Sequence, residues 1–207
     1  MYQTLDKWLK KVKKKIQTEF NHMSVIGFDE LNVVGTKKYT QEMYDRLDAE
    51  NKKAYRKIAS EAYKKAGGPK ATEIDDEWVA GVLAMYNLVT GYLYNKELER
   101  KRLRLNEQIL TAREYDSRSA YNECLRRSAN LLYTQSMQYG IDIVDKATIK
   151  ALKDSGVKRV RWISVHDDHR CGDCKDRDGK IYKIDEIPEK THYGCRCYLE
   201  PVMEEDS

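Results

Sequence analysis

Cysteine spacing is the sequence feature that most constrains this chain. Four of the five cysteines of the 207 residues lie after residue 170. They read Cys171-Gly-Asp-Cys174 and, after a hairpin-sized insert, His192-Tyr-Gly-Cys195-Arg-Cys197. Two clips of soft ligands on either side of a hairpin are typical of a tetrahedral zinc site. A module this small buries little apolar surface, so Zn²⁺ as cofactor would supply much of its folding free energy.

The spacing leaves the fourth ligand open. Cys171, Cys174 and Cys195 are the expected obligatory ligands, and the fourth is His192 or Cys197. His192 is favoured because it repeats the i, i+3 spacing of the first clip. In an extended strand the Cα atoms of Cys195 and Cys197 lie roughly 6.5–7 Å apart, which makes it harder for both to bind one ion. A local turn would allow it, and a thiolate is the stronger soft ligand.

Two other interpretations of the cysteines remain open. They are free thiols packed in a small sheet, or disulfides formed after release into an oxidising environment. Cys124 stands alone beside Leu125 and is expected to be a buried core thiol. The N-terminus carries no secretory signal and no apolar run reaches bilayer length, so we expect a protein made and kept in a cytoplasm, with no stable membrane insertion.

The predicted fold class is α+β, with a mostly α-helical, elongated N-terminal region and a small C-terminal β-hairpin module stabilised by zinc. The predicted domains are residues 1–156, residues 157–201 and an acidic, disordered tail at 202–207. The hairpin is predicted by basic and apolar residues that alternate at 157–165, by an Asp-Gly turn at 178–179 and by a return strand at 181–184.

Apolar periodicity and punctuation predict the helices. The first covers residues 2–20, and residues 21–39 are expected to form a packed loop. The second begins at Thr40 as N-cap and ends at the Gly-Gly-Pro run 67–69. A third starts after Thr72 and continues through the charged stretch 96–104. A fourth covers 117–139 with Gly140 as its stop, and a last one runs from Asp145 as cap to Gly156.

Basic clusters are the candidate nucleic-acid contacts. The net charge is only +4, so the positions of the charged residues matter more for nucleic-acid binding than the net charge does. Neither cluster carries a base-reading motif, which predicts contact without sequence specificity. The apolar face of the first helix, with Trp8 and Phe20, is expected either to pack in the core or to dock on a partner. The candidate contacts are Lys10, Lys11, Lys13, Lys14, Lys15, Arg100, Lys101, Arg102 and Arg104.

Tyrosine is unusually frequent, with 15 copies against two phenylalanines. Tyrosines interleaved with Lys and Arg can stack on bases. Their helix-stripe positions favour helix–helix packing instead. The tyrosines concerned are Tyr44, Tyr55, Tyr63, Tyr86 and Tyr121.

Three segments carry a resemblance to a known family. Residues 160–174 are similar to its "W…DxxxCxxC" core, residues 178–188 to its "DGxxY…P" middle, and residues 192–201 to its closing "HPxCRCxxxP". Tyr193 replaces the usual proline. The module therefore resembles the Mu F-like head-morphogenesis (minor head) proteins of tailed bacteriophages. The first 155 residues match only in general character.

The resemblance implies a structural, non-enzymatic, low-copy protein of the phage head. It implies a place at the portal vertex, with the portal protein and capsid or scaffold proteins as partners, and a part in DNA packaging, retention or delivery. Residues 1–156 would then be the region that docks on the portal or head. The expected location is the virion, after assembly in the bacterial host cytoplasm. No small-molecule substrate is expected, and phage DNA is a possible partner.

A rival function is a zinc-dependent nucleic-acid-binding regulator or nuclease free in the cytoplasm. Residues His166, Asp167, Asp168 and His169 imitate a metal-dependent nuclease centre beside the cysteines. Adjacent His and Asp residues on a loop are more often solvated, or orient another group, as Asp168 could orient a ligand or an arginine.

Overall fold

The computed structural model describes residues 2–88, 92–168, 170–190, 192 and 194–202, except for the side chains of 85–88 and 92–99. The protein is mostly helical with a small three-stranded antiparallel sheet, which confirms the α+β class. Among the described residues, no helix is long and apolar enough to cross a bilayer.

Helix α1, Gln3–His22, is amphipathic as predicted. Its apolar face is buried and its lysine face is exposed. Of the two expectations for the apolar face, core packing is confirmed, because Phe20 is only 3% exposed. The face is therefore not free for a partner. Its buried residues are Leu5, Leu9, Val12, Ile16 and Phe20.

The loop predicted at 21–39 is wrong. A π-helical turn at Met23–Gly27 and the short α2, Phe28–Glu30, follow α1, and α3 covers Val33–Lys65. Thr40 is not an N-cap, since it lies inside α3 and its hydroxyl donates to the Thr36 carbonyl at 2.8 Å. The Asn32 side-chain oxygen accepts from the Gly35 amide at 2.8 Å and caps the helix instead.

Helix α4, Asp76–Leu88, begins as predicted, because Asp75 Oδ1 accepts the Trp78 amide at 2.7 Å. Helix α5 covers Tyr92–Glu114. The predicted continuity between these two helices falls on residues 89–91, which lie outside the described residues.

Helix α6, Arg118–Asp154, replaces the two helices predicted in this region. Gly140 is not a stop and Asp145 is not a cap, since both lie inside α6. A Cβ on residue 140 would overlap Leu5 Cδ1, so the glycine provides a close approach rather than a helix end. The predicted end is confirmed, as Gly156 adopts φ +79° just after the helix.

The sheet combines the predicted hairpin with a third strand. Strands β1, Arg159–Ile163, and β2, Ile181–Lys183, pair antiparallel, which confirms the hairpin. Strand β3, Tyr198–Pro201, pairs antiparallel with the other edge of β1 and was not predicted. The short helix α7, Gly172–Arg177, lies between β1 and β2.

The chain divides into two compact units. Unit 1 comprises Met1–Leu5, Tyr55–Leu83 and Gln138–Ser207, and unit 2 comprises Asp6–Ala54 and Ala84–Met137. The expectation that the tyrosines pack inside is confirmed for four of the five. These are Tyr44, Tyr55, Tyr63 and Tyr121. The side chain of Tyr86 lies outside the described part of the chain.

Candidate metal centre

The first clip is built by the start of α7. Cys171 has extended backbone dihedrals just before the helix, and its Sγ accepts the Cys174 amide at 3.4 Å. Cys174 lies in the first helical turn and is 4% exposed. A helical turn brings side chains three residues apart to one side, so both sulfurs face the same point.

The second clip leads into β3. Cys195 and Cys197 precede the strand, and β3 pairs with β1 so that Tyr198 lies opposite Ile163. The sheet thereby carries the second clip to the first, and its residue Trp162 packs against the sulfurs. The core of this region is made largely of the cysteines themselves. The buried residues of the cluster are Trp162, Cys174, Cys195 and Cys197.

Three distances from Cys174 Sγ are close to the ligand spacing around a tetrahedral ion. Cys174 Sγ lies 3.4 Å from Cys197 Sγ and 3.7 Å from Cys195 Sγ. His192 Nε2 lies 3.3 Å from Cys174 Sγ. Sulfurs that each lie about 2.3 Å from a tetrahedral zinc are about 3.8 Å apart, so the observed spacing needs little change to accept the ion.

The five predicted metal ligands form two groups. Cys171, Cys174 and His192 make one, and Cys174, Cys195 and Cys197 make the other. Within each group the ligand atoms lie within 4.8 Å of one another, and Cys174 belongs to both. The structure thus brings all five predicted side chains around Cys174. It also brings the Cys195 and Cys197 sulfurs together despite their separation by one residue.

The pKa values of the three buried thiols are shifted in different directions. The pKa of Cys197 is lowered to about 5, chiefly by the hydrogen bond from Cys195. The pKa of Cys174 is raised to about 12, chiefly by burial. The hydrogen bond with Cys197, together with burial, raises the pKa of Cys195. A buried thiolate surrounded by further sulfurs is the donor set that zinc prefers.

All five cysteines are free thiols in the structure. The sulfur separations of 3.4 and 3.7 Å are far above the roughly 2.05 Å of a disulfide. Cys124 is buried at 8% exposure among apolar residues, which confirms the expectation of a core thiol. Burial raises its pKa.

A partly buried polar network holds the backbone of the second clip. Lys190 Nζ donates to the Cys195 carbonyl at 3.1 Å and pairs with Asp145 Oδ2 at 2.6 Å. The Tyr2 hydroxyl accepts from Lys190 at 2.8 Å and lies 2.6 Å from Asp145 Oδ1 and 3.2 Å from the Cys197 carbonyl. Asp145 therefore stands inside α6 as the centre of this network rather than as a helix cap.

Helix α6 supports the same loop one turn earlier. Gln138 Oε1 accepts the Gly194 amide at 3.0 Å, and Gln138 Nε2 donates to Asp142 Oδ1 at 3.1 Å. Asp142 Oδ2 is buried without a hydrogen-bond partner among the described residues. Burial, reinforced by the Asp145 charge, raises the pKa of Asp142 well above its usual value.

The residues of the rival nuclease centre do not form one among the residues described. His166 Nε2 lies 2.9 Å from Asp178 Oδ2, and Arg170 donates to the same oxygen at 2.6 Å. Asp178 Oδ1 accepts the Ser164 amide at 2.8 Å, and these contacts lower the pKa of Asp178 to about 2. Asp167 and Asp168 are exposed, and His169 lies outside the described residues.

Most predicted nucleic-acid contacts are on the surface. Arg102 is half-buried, with its guanidinium 5.1 Å from the centre of the Tyr44 ring, and Lys15 pairs with Glu50. Lys13 lies over the Tyr133 ring at 5.9 Å. The contacts that are exposed are Lys10, Lys11, Lys13, Lys14, Lys15, Arg100, Lys101 and Arg104.

Sequence reasoning missed the residues that support the centre. Tyr2, Asp145 and Lys190 meet from three distant parts of the chain, and no local spacing joins them. The available signal was Asp145 itself, a charged residue directly after the apolar Ile143 and Val144, where a carboxylate needs a partner if it is buried. Comparison with known proteins returned no matching protein-family model, no matching curated protein and no matching solved structure.

Proposed function

We propose that the protein holds one structural Zn²⁺ through Cys171, Cys174, Cys195 and Cys197. The observation that carries this proposal is the buried sulfur cluster around Cys174, whose sulfur lies 3.4 and 3.7 Å from those of Cys197 and Cys195. Cys171 completes the set from the same clip as Cys174. Four ligands leave no open position, as in structural rather than catalytic zinc sites.

Geometry favours Cys197 over His192 as the remaining ligand. The sequence disfavoured Cys197 because of its distance from Cys195, but their sulfurs lie within 4.8 Å of each other. His192 contacts Cys174 from the other group. It is then placed to donate a hydrogen bond to the Cys174 sulfur, a common support for a metal-bound thiolate.

Metal content and X-ray absorption of the purified protein test the ligand set. One zinc per chain with only sulfur neighbours, at about 2.3 Å, is expected. A nitrogen neighbour at about 2.0 Å would instead make His192 a ligand. A protein without zinc that contains a disulfide between two of these cysteines contradicts the metal site altogether.

We further propose that the protein is a minor head protein of a tailed bacteriophage, with its site in the virion near the portal. The support is that non-cysteine residues of the family-like segments do structural work. Trp162 packs on the sulfurs, Asp178 fastens the loop after β1, and Tyr182 contacts the same cluster. The scaffold role of these three residues favours a structural role over the nuclease or regulator.

Copurification tests this role. Tagged protein expressed with the portal, capsid and scaffold proteins of its own phage should be recovered with the portal protein and in procapsids, after assembly in the host cytoplasm. A Cys174→Ser variant should be lost from these particles, whereas Cys124→Ser should be retained. Metal-dependent DNA cleavage that disappears in His166→Ala or Asp168→Asn would support the rival instead.

We propose that any contact with phage DNA is electrostatic. Lys10, Lys11 and Lys14 share the exposed face of α1 and have no carboxylate partner among the described residues. Affinity for random duplexes should then fall steeply with salt and be indifferent to sequence. Replacing the three lysines by glutamine should reduce the salt dependence.

A further inference from the structure

A small polar cavity lies between the end of α3 and the loop that follows it. Its volume is about 380 Å³, within the range of about 300–1,000 Å³ typical of small-molecule sites. All of its lining residues belong to unit 1, and none of them is a member of the cysteine cluster. Its polar lining includes Arg56, Ser60, Lys64, Lys70, Thr72 and Glu73.

The charge of this cavity is unbalanced. Three cationic side chains line it against the single carboxylate of Glu73. That carboxylate is engaged by Arg56, whose Nη2 lies 3.1 Å from it, and Arg56 also reaches Asp76 at 3.5 Å. Lys64 and Lys70 pair with no carboxylate among the described residues. Two cations beside a polar cavity therefore remain available for an anion.

The walls of the cavity are held in place. Gly68 fits closely against the Tyr63 ring, leaving no room for a side chain, and Ser155 Oγ donates to the Gly67 carbonyl at 2.8 Å. Tyr63 and Ile74 are buried and provide the apolar part of the lining. The Tyr63 hydroxyl is used elsewhere, bonding Asp154 Oδ2 at 2.6 Å. A fixed loop lowers the backbone ordering cost of binding.

We infer that this cavity binds the phosphate group of a phosphate-bearing ligand. Lys64 and Lys70 supply the charge, and the hydroxyl of Ser60 supplies a neutral donor, whereas the Thr72 hydroxyl bonds that of Tyr63. The Glu73 carboxylate also lines the cavity and disfavours a ligand that is anionic throughout. The ligand chemistry is thus a single phosphate group, either free or attached to a neutral polar group.

Titration of the zinc-loaded full chain with inorganic phosphate and with a mononucleotide, followed by ³¹P NMR at low ionic strength, tests the inference. The variant Lys64→Gln/Lys70→Gln should weaken binding at least about tenfold, because each charged hydrogen bond is worth about 1.5–3 kcal/mol. Both lysines are exposed, so the fold should survive, which a thermal melt checks. Lys37→Gln, an exposed lysine near the start of α3, is the matched control.

Tighter binding of the mononucleotide than of inorganic phosphate, lost in the double variant, supports the inference and assigns the ligand to phosphate monoesters. Equal binding of both, again lost in the double variant, supports it and assigns free phosphate. No saturable binding of either probe, or the same loss in Lys37→Gln, overturns it. Ala71→Glu adds a carboxylate to the lining and should abolish binding if the cavity is the site.

Discussion

At the scale of single residues, Cys174 has more influence than any other ligand. It belongs to both groups of ligand atoms, and its sulfur lies between 3.3 and 3.7 Å from three other ligand atoms. Its neighbours, in contrast, each belong to one group. Removal of this sulfur would therefore break three short contacts at once and leave the contact between Cys195 and Cys197.

Cys174→Ser is therefore expected to release the zinc completely. Serine oxygen is a poor zinc ligand, and the three remaining thiols would leave an open position. Zinc per chain, measured by atomic emission after gel filtration, should fall from about one to near zero. Cys124→Ser should keep its zinc, since that thiol lies in the apolar core of unit 2. Full zinc retention in Cys174→Ser would show that another ligand set binds the ion.

Asp142 gives a second residue-scale prediction. Burial and the charge of Asp145 raise its pKa, and the positive charges of Lys190 and Lys146 partly offset this rise. A raised folded-state pKa means that the contribution of the carboxyl to stability is present below its unfolded pKa of about 3.9 and is lost as the pH rises through the folded value. Above that value the folded protein carries a buried charge.

Asp142→Asn should therefore stabilise the protein at neutral and higher pH. The amide oxygen can still accept from Gln138, and no charge needs to be buried. The gain, measured as the shift in urea midpoint with saturating zinc, should shrink as the pH falls toward about 4. Asp48→Asn, an exposed position on α3, should show no such trend. A destabilised variant at every pH would mean that the charge itself is required.

At the scale of elements, glycines show how context overrides local punctuation. Gly140 lies inside α6 because its missing side chain admits Leu5, which is fully buried. Gly81 lies inside α4, and a Cβ added there would meet nothing within 4 Å, so this glycine has no such role. Replacement of glycine by alanine is therefore expected to be tolerated at residue 81 of α4 and not at residue 140 of α6.

Gly140→Ala and Gly81→Ala should change stability in opposite directions. Overpacking against Leu5 costs about 1–3 kcal/mol, which outweighs the helix-propensity gain of up to about 1 kcal/mol. Gly81→Ala should keep that gain, since its side chain meets open space. Urea unfolding of both variants provides the comparison. Equal stabilisation in both would show that Leu5 moves aside at no cost.

Local pattern explains which elements were predictable. The hairpin was predicted because alternation and the Asp-Gly turn lie within a short segment, and the cysteine cluster because its two clips are fixed by spacing. Strand β3 was missed because its partner β1 is far away in sequence. The start of α3 at Val33 was missed because the Asn32 cap stabilises it despite the low helix propensity of Gly35 and Thr36. Gly140 was wrongly predicted to end a helix, because the residue that requires a glycine there, Leu5, is far away in the sequence.

At the scale of the whole molecule, the two units have cores of different chemistry. Unit 2 contains a large cluster of aliphatic and aromatic residues, among them Ile109, Tyr121 and Leu125. In unit 1 the sheet region relies on a small cluster in which cysteines replace much of the apolar surface. Sulfur ligands without a metal provide little stability, whereas bound zinc cross-links them.

Zinc removal should consequently affect the molecule unevenly. With a strong chelator and a reductant, amide exchange should accelerate in β1 and β3, where Trp162 and Leu199 pack on the sulfurs. Amides of Ile109 and Leu125 in unit 2 should keep most of their protection, because their cluster contains no metal ligand. Added zinc should restore the slow exchange. Acceleration of similar size in both clusters would show instead that the metal stabilises the whole chain, and unchanged exchange everywhere would remove the structural role of the ion.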